Sequence, residues 1–251
     1  MRNRVFDGGF NLCRNIMYKI QEKDPKLIPA NQNVTIHPKY IRHVMFDDGF
    51  MYYPNQLLFT VNQVRDDYYY QDISKEDRIL DIGACVGGFT VPASRKGRSV
   101  YAVEPITPDR LSENIRLNGI NNVTVENGAL GNGEEVIIEW NGEVRRTKTR
   151  TLSQLIKMAD GCDFLKCDCE GGEWSIMGKE LREIRRIEME VHQMNDATKI
   201  NKMIERVTDA GFFVITDDIV DTNRMKVTTL HAINMNIVSD CSDFFSAVSF
   251  R

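Results

Sequence analysis

Residues 77–90, Asp-Arg-Ile-Leu-Asp-Ile-Gly-Ala-Cys-Val-Gly-Gly-Phe-Thr, constrain this chain more than any other stretch. A short β-rich run passes straight into a glycine turn, and a helical pattern follows. Such a run is a strand covered on both faces, which is the usual state of a strand in a parallel sheet. In the turn, Gly83 and Gly87 remove Cβ atoms where backbone must come close to a ligand, and free N–H groups at the start of the next helix suit an anionic group.

The same alternation continues downstream. Short apolar runs near 78–82, 99–103, 123–126, 163–167, 186–191, 212–216 and 228–236 are separated by helical stretches near 88–96, 108–118, 151–159, 173–183 and 196–209. Strands alternating with helices predict an α/β fold built on a parallel sheet with crossover helices. One insertion interrupts the pattern: Asn141-Gly142 lies between alternating residues, the mark of a β-hairpin, and Arg145, Arg146, Lys148 and Arg150 are expected on its solvated edge.

The sheet pattern starts only near residue 75, so residues 1–70 are read as an N-terminal extension, helical in character, and residues 71–251 as the main domain. Within the first 45 residues eight Lys/Arg face three acidic residues, whereas the whole chain nets -4. Phe6, Phe10, Cys13, Met17 and Ile20 share one helical face that is expected to pack on the protein's own body; acceptor recognition, oligomerisation and contact of residues 1–45 with a membrane surface are its other uses. No stretch approaches the roughly 18 apolar residues of a membrane span. The segment does not read as a signal peptide, and the six cysteines form no C-x-x-C pair, so a reduced, cytoplasmic protein without structural zinc is expected. The sequence pI near 5.7 argues against a nucleic-acid partner.

The turn spacing is D-x-G-x-x-x-G-G rather than the G-x-G-x-x-G of dinucleotide binders. Glu104, in the run Tyr101-Ala102-Val103-Glu104-Pro105, ends the second strand, where a carboxylate can accept hydrogen bonds from ribose hydroxyls. Turn and carboxylate together point to an adenosine-containing ligand.

The runs DRILDIGACVGGFT, YAVEP, NIRLNG, ENGALG, FLKCDCEGGEW and RRIEMEVH, in this order and spacing, resemble class I S-adenosylmethionine-dependent methyltransferases, and most closely the FkbM-type family. The family hallmark, L-K-x-D-x-E-G-x-E, is matched by Leu165 through Glu173, and the likeness covers roughly residues 55–235. The resemblance implies a Rossmann-like, seven-stranded, mostly parallel sheet with one antiparallel strand and helices on both faces. It also implies methyl transfer from S-adenosyl-L-methionine to a hydroxyl on a small molecule, sugar or glycan. Carried over residue by residue, it puts Gly83, Ala84, Cys85 and Gly87 around the methionine part of the cofactor. Glu104 falls on the ribose and Gly128 with Ala129 near the adenine, while Asp81 stands at a matching position in the first strand.

Asp168 closes the fourth strand where sheets of this kind hold ligands, with Glu170 on the same side two residues later; Glu190 and His192 end the fifth strand on one face. Asp168, Glu170 and His192 are the catalytic candidates: a carboxylate orients the acceptor hydroxyl and takes its proton, and His192 is a general base by the ordinary imidazole pKa or else a hydrogen-bonded structural histidine. Asp168, Glu170, Glu173, Glu190 and His192 also offer the donors of a divalent-ion site, but carboxylates beside a sulfonium need no metal, and no metal ligand is assigned. Cys167 and Cys169 are expected in the core. Two other functions fit the glycine turn. One is an RNA (tRNA) methyltransferase, supported by Leu117-Asn118-Gly119 and opposed by the acidic charge and by Asp168-Cys169-Glu170-Gly171 where an N/D-P-P-Y motif would stand; the other is a non-catalytic S-adenosylmethionine-binding module.

Overall fold

The structure is a computed structural model and describes residues 34–36, 43–46, 48–53, 57–140, 142–193, 198–221 and 225–248. The amphipathic stripe from Phe6 to Ile20 lies outside the described residues. The strands are β1 (Val34–Ile36), β2 (Val44–Phe46), β3 (Met51–Tyr52), β4 (Arg78–Ile82), β5 (Ser99–Val103), β6 (Val123–Glu126) and β7 (Ala129–Leu130). They continue as β8 (Glu135–Trp140), β9 (Glu143–Arg150), β10 (Phe164–Cys167), β11 (Arg186–Gln193), β12 (Phe212–Thr216), β13 (Val220–Asp221) and β14 (Lys226–Asn234).

The main sheet runs β12-β14-β11-β10-β4-β5-β6, with the short β13 attached to β14. β4, β5, β6, β10 and β11 pair in parallel, and β14 is antiparallel to both its neighbours, as the family likeness implies. The connection from β12 to β14 is too short for the dozen or more residues of a crossover, so the chain must turn back on itself. Helices cover both faces. Leu80, Ile82, Leu165, Ile187 and Met189 point to a core shared with Leu152, Leu155, Ile200, Met203 and Val207 of the helices Leu152–Met158 and Lys199–Asp209. The alternate positions Ile79, Val100 and Phe164 meet Phe89 and Ala93 on the other face.

The register lines up a buried polar row across four strands: Asp81 opposite Lys166, Lys166 opposite Glu188, Glu188 opposite His231. Each is at most 1% exposed. Charges survive there because each has a partner. Glu188 takes His231 Nδ1 at 2.7 Å and the Arg186 guanidinium, and Arg186 reaches Asp72 at 2.9 Å.

Three local features differ from the sequence reading. The helical stretch 173–183 is two pieces, a 3-10 turn Gly172–Ser175 and a helix Gly178–Leu181, because Ile176 and Met177 are extended between them. The described part of the extension before residue 54 is a three-stranded antiparallel sheet, β1-β2-β3, not helix. It also shares a core with the main domain: Val44, Phe46, Phe50, Tyr52, Leu57 and Val61 pack with Val86 and Val91. Asn118 takes the Met51 N–H and donates to the Met51 carbonyl, while Asn114 takes the Tyr53 N–H and donates to the Val86 carbonyl. The hairpin β8–β9 forms as expected; Arg145 and Arg146 are exposed, and Arg150 instead pairs with Glu126 at 2.8 Å.

Candidate active site

The turn after β4 is shaped by three left-handed residues, Gly83 (φ 75), Cys85 (φ 50) and Gly87 (φ 95). At Gly83 this is obligatory twice over, since a Cβ there would lie 1.6 Å from the carbonyl oxygen of Asp168. At Gly87 a Cβ would come within 2.9 Å of Leu111 Cδ1. Cys85 holds a conformation that costs a non-glycine residue roughly 1 kcal/mol or more. Its N–H donates to Glu104 Oε2 at 2.7 Å, which helps hold it there. The other oxygen of Glu104 accepts from Ile106 and Thr107 at 2.7 and 2.9 Å. Burial pushes the Glu104 carboxyl up, and those three N–H groups oppose the shift. The same burial raises the Cys85 thiol to about 12, leaving it neutral.

Asp81 has no exposed surface. It accepts from Thr90 Oγ1 at 2.5 Å and faces Lys166 Nζ at 3.4 Å, so it braces the turn from below. Gly128 is buried, and Ala129 opens β7 beside it with 8% exposure. The cradle fits an adenosine-type sulfonium cofactor. A turn whose Cβ positions are closed, with a buried carboxylate anchored at the next strand end by backbone and keeping one lone pair on Oε2 for a hydroxyl, can bind ribose and the amino-acid part in one place. Gly83, Ala84, Cys85, Gly87 and Glu104 would hold it, with Gly128 and Ala129 to the side.

Beside the turn, the ends of β10 and β11 bring Asp168, Glu170 and His192 together: one donor atom from each lies within 4.8 Å of the others. Glu170 sits at φ 54 and Gly171 at φ 111, a reversal that points the chain back so that Glu173 enters the core. Glu173 is fully buried; its Oε1 accepts the His192 backbone N–H at 2.9 Å and faces His192 Nδ1 at 3.2 Å, and its Oε2 accepts from Gly171 at 2.8 Å. The imidazole Nε2 faces Glu190, Glu170 and Asp168 at 3.2, 3.4 and 4.0 Å. Burial opposes a charge on the ring, yet the carboxylates of Glu173 and Glu190 outweigh it and raise His192 to about 11. Glu190 is pushed up to about 8 by burial and by Asp168.

The sequence analysis gave no role to three further residues here. Lys166, an ammonium inside an otherwise apolar strand, donates to the Gly83 carbonyl at 2.8 Å and lies 3.9 Å from Asp168, linking turn and cluster. Burial works against its charge, but Asp81 and Asp168 keep it raised. Tyr68 places its ring 5.3 Å from that ammonium; burial, then the charges of Asp168 and Glu190, hold its phenol well above the usual range. Trp140, at the end of β8, donates from Nε1 to Glu170 Oε1 at 3.0 Å. A lysine in a strand was the one visible signal; the tyrosine and the tryptophan carried none. Cys167 and Cys169 face the core as expected.

Residues 81–214, more than half of the chain, match the family described as Methyltransferase FkbM domain. An uncharacterized protein of Methanocaldococcus jannaschii is 36% identical over 58 residues, 22% of this chain and 22% of that protein. A 23S rRNA (uracil(1939)-C(5))-methyltransferase of Aeromonas hydrophila is 37% identical over 71 residues, 28% of this chain and 16% of that enzyme. The chain thus spans about a fifth of the length of these curated relatives. Among solved structures, TYW2 of M. jannaschii in complex with AdoMet is 17% identical and covers 83% of this chain and 90% of its own, with a TM-score of 0.42.

Proposed function

This chain belongs to the FkbM methyltransferase family and depends on S-adenosylmethionine, and from that premise we propose that it methylates a hydroxyl group on a small molecule, sugar or glycan. What supports the reading is the convergence of Asp168, Glu170, Glu190 and His192 at the carboxyl ends of β10 and β11, with Asp168 in backbone contact with Gly83 of the cofactor turn.

S-adenosylmethionine supplies a methyl group on a sulfonium centre, an electrophile that needs no further activation. The chain's own task is then to orient the acceptor oxygen and relieve it of its proton. Asp168 and Glu170, part-exposed at 23% and 48%, are the groups an acceptor can reach. Either carboxylate can take a hydrogen bond from a hydroxyl and then its proton, help worth about 10²–10⁴-fold in rate. With its ring charged, His192 holds these carboxylates in place and does not itself accept the proton. Lys166 and Tyr68, both buried, form the floor of the site.

The test is to incubate the full chain with methyl-labelled S-adenosylmethionine and, separately, a small-metabolite extract, a glycan fraction and total RNA. Label in a hydroxyl-bearing metabolite or glycan, as a methyl ether, is the expected result. Label in RNA alone overturns the reading and aligns the chain's acceptor with that of its rRNA-methylating relatives.

A further inference from the structure

We propose that Asp168, Glu170 and His192, with Glu190 beside them, form a binding site for one divalent metal ion of the first transition row. The inference goes beyond the methyl-transfer reading and does not need it, since it rests on the donors themselves.

The first ground is spacing. The His192 Nε2 stands 3.2, 3.4 and 4.0 Å from oxygens of Glu190, Glu170 and Asp168. An ion bound at about 2.1 Å by nitrogen and oxygen holds neighbouring ligand atoms about 3.0–3.4 Å apart and opposite ones about 4.2 Å apart. Nε2 already stands near these separations from the three oxygens, and Asp168, Glu170 and His192 each offer a donor atom within 4.8 Å of the others, so an ion entering among these three needs only to draw them in slightly.

The second ground is the imidazole. The His192 side chain is 3% exposed and makes its ring hydrogen bond through Nδ1, to Glu173. On the other side of the ring the buried Nε2 faces oxygens of Glu190, Glu170 and Asp168, a position that a proton holds in the metal-free chain and that a divalent ion would take by displacing that proton. Such an arrangement calls for a cation at Nε2, and a proton or a metal ion can serve. Glu173, fixed in turn by the Gly171 N–H, sets the tautomer and stops the ring from turning, which is what a carboxylate behind a metal-binding histidine does.

Charge and access complete the case. Four carboxylates, those of Asp168, Glu170, Glu173 and Glu190, converge on one imidazole, with the Lys166 ammonium 3.9 Å from Asp168. Glu170 is 48% exposed, so the site opens to solvent on one side and an ion has a path in. Imidazole with carboxylate is a donor set for manganese, iron, cobalt or zinc rather than for calcium, which takes oxygen ligands. The sequence offers Glu173 as one more donor, whereas the reversal at Glu170 and Gly171 turns it behind the imidazole as a support.

The experiment uses the full chain, stripped with a chelator and titrated with Mn²⁺, with free Mn²⁺ read by its electron paramagnetic resonance signal. One Mn²⁺ per chain is expected. Affinity should fall at least tenfold in Asp168→Asn and Glu170→Gln, and about 10- to 100-fold in Glu173→Gln, which touches the ion only through His192. Glu170→Gln alters a half-exposed side chain, and its melting temperature without metal, matched to that of the parent, shows that any loss is local. Absence of binding to the parent, or equal binding in Asp168→Asn and Glu170→Gln, overturns the proposal. S-adenosylhomocysteine affinity and label transfer are measured on the same samples. Hydroxyl methylation by a chain that binds no Mn²⁺ removes the metal site and keeps the proposed function, whereas Mn²⁺ binding with label only in RNA does the reverse.

Discussion

The glycine turn and the carboxylate cluster adjoin at the carboxyl edge of the sheet, yet they are built in opposite ways. The turn comes from one continuous stretch, Asp81 to Glu104, and works through backbone: left-handed glycines, N–H groups and a carboxylate that those N–H groups anchor. The cluster is made of side chains from distant segments, Tyr68, Trp140, Asp168 to Glu173, and Glu190 with His192, and its backbone matters mainly at the Glu170 reversal. Where backbone makes the site, one residue type is irreplaceable and its loss damages fold and function together. Where side chains converge, a change of charge at constant shape can remove function and leave the fold.

That contrast predicts a graded series. Gly83→Val should have the largest effect. The new Cβ would fall 1.6 Å from the Asp168 carbonyl oxygen at a φ of 75, so the turn must break from β10. Cofactor affinity measured by calorimetry should fall beyond detection, with a lowered melting temperature; a variant that binds S-adenosylhomocysteine normally would end the claim that backbone makes this half of the site. Next, Asp168→Asn should cut turnover about 10²-fold or more while shifting S-adenosylhomocysteine affinity by less than about threefold. Equal losses in both would mean that the two regions are one unit.

Glu104→Gln should weaken cofactor binding about tenfold, since the amide can accept on one side only, and either the Cys85 N–H or both the Ile106 and Thr107 N–H groups lose their acceptor. Unchanged affinity would show that the anchored carboxylate serves the turn alone.

The smallest effect lies outside both regions, at His231. Burial opposes its charge, but Asp217, 3.5 Å from Nε2, and Glu188, 2.7 Å from Nδ1, raise its pKa; Arg186 pairs with the same Glu188, and the Tyr69 ring packs 4.5 Å away. Because the folded pKa exceeds the unfolded value near 6.5, the stabilisation is complete below that value and is lost as pH rises through the folded pKa. Melting temperature should therefore decline on going from pH 6 to higher pH, with a shallower decline in His231→Gln. An identical slope in the two chains would show that the pair contributes nothing.

Strand positions were legible from composition alone: β4, β5, β6 and β12 have the ends that their apolar runs predict, and β10, β11 and β14 differ by a residue or two. The stretch 173–183 reads as one helix in sequence, but Glu173 turns inward to hold His192 and the extended Ile176 and Met177 split it into a 3-10 turn and a short helix. The three-stranded sheet near Val44 was missed for a different reason. Its strands are two or three residues long, too short to show a period, and they form because β2 and β3 have Val61, Val86 and Val91 to pack against.

What the sequence determined by itself is therefore what depends on near neighbours: the order of strands and helices, the glycine turn, and the approach of Asp168 and Glu170 at the end of β10. Each follows from local sterics or from the two-residue period of a strand, which residues close in the chain decide between themselves. The tertiary structure alone decided that Lys166 joins Asp81 to Asp168, that Tyr68 and Trp140 reach the same site, and that His192 meets three carboxylates on its Nε2 side with Glu173 behind it. Electrostatics acts through space. A histidine's charge is set by whichever groups the packing of the sheet brings within a few ångströms, however far apart they lie in the chain.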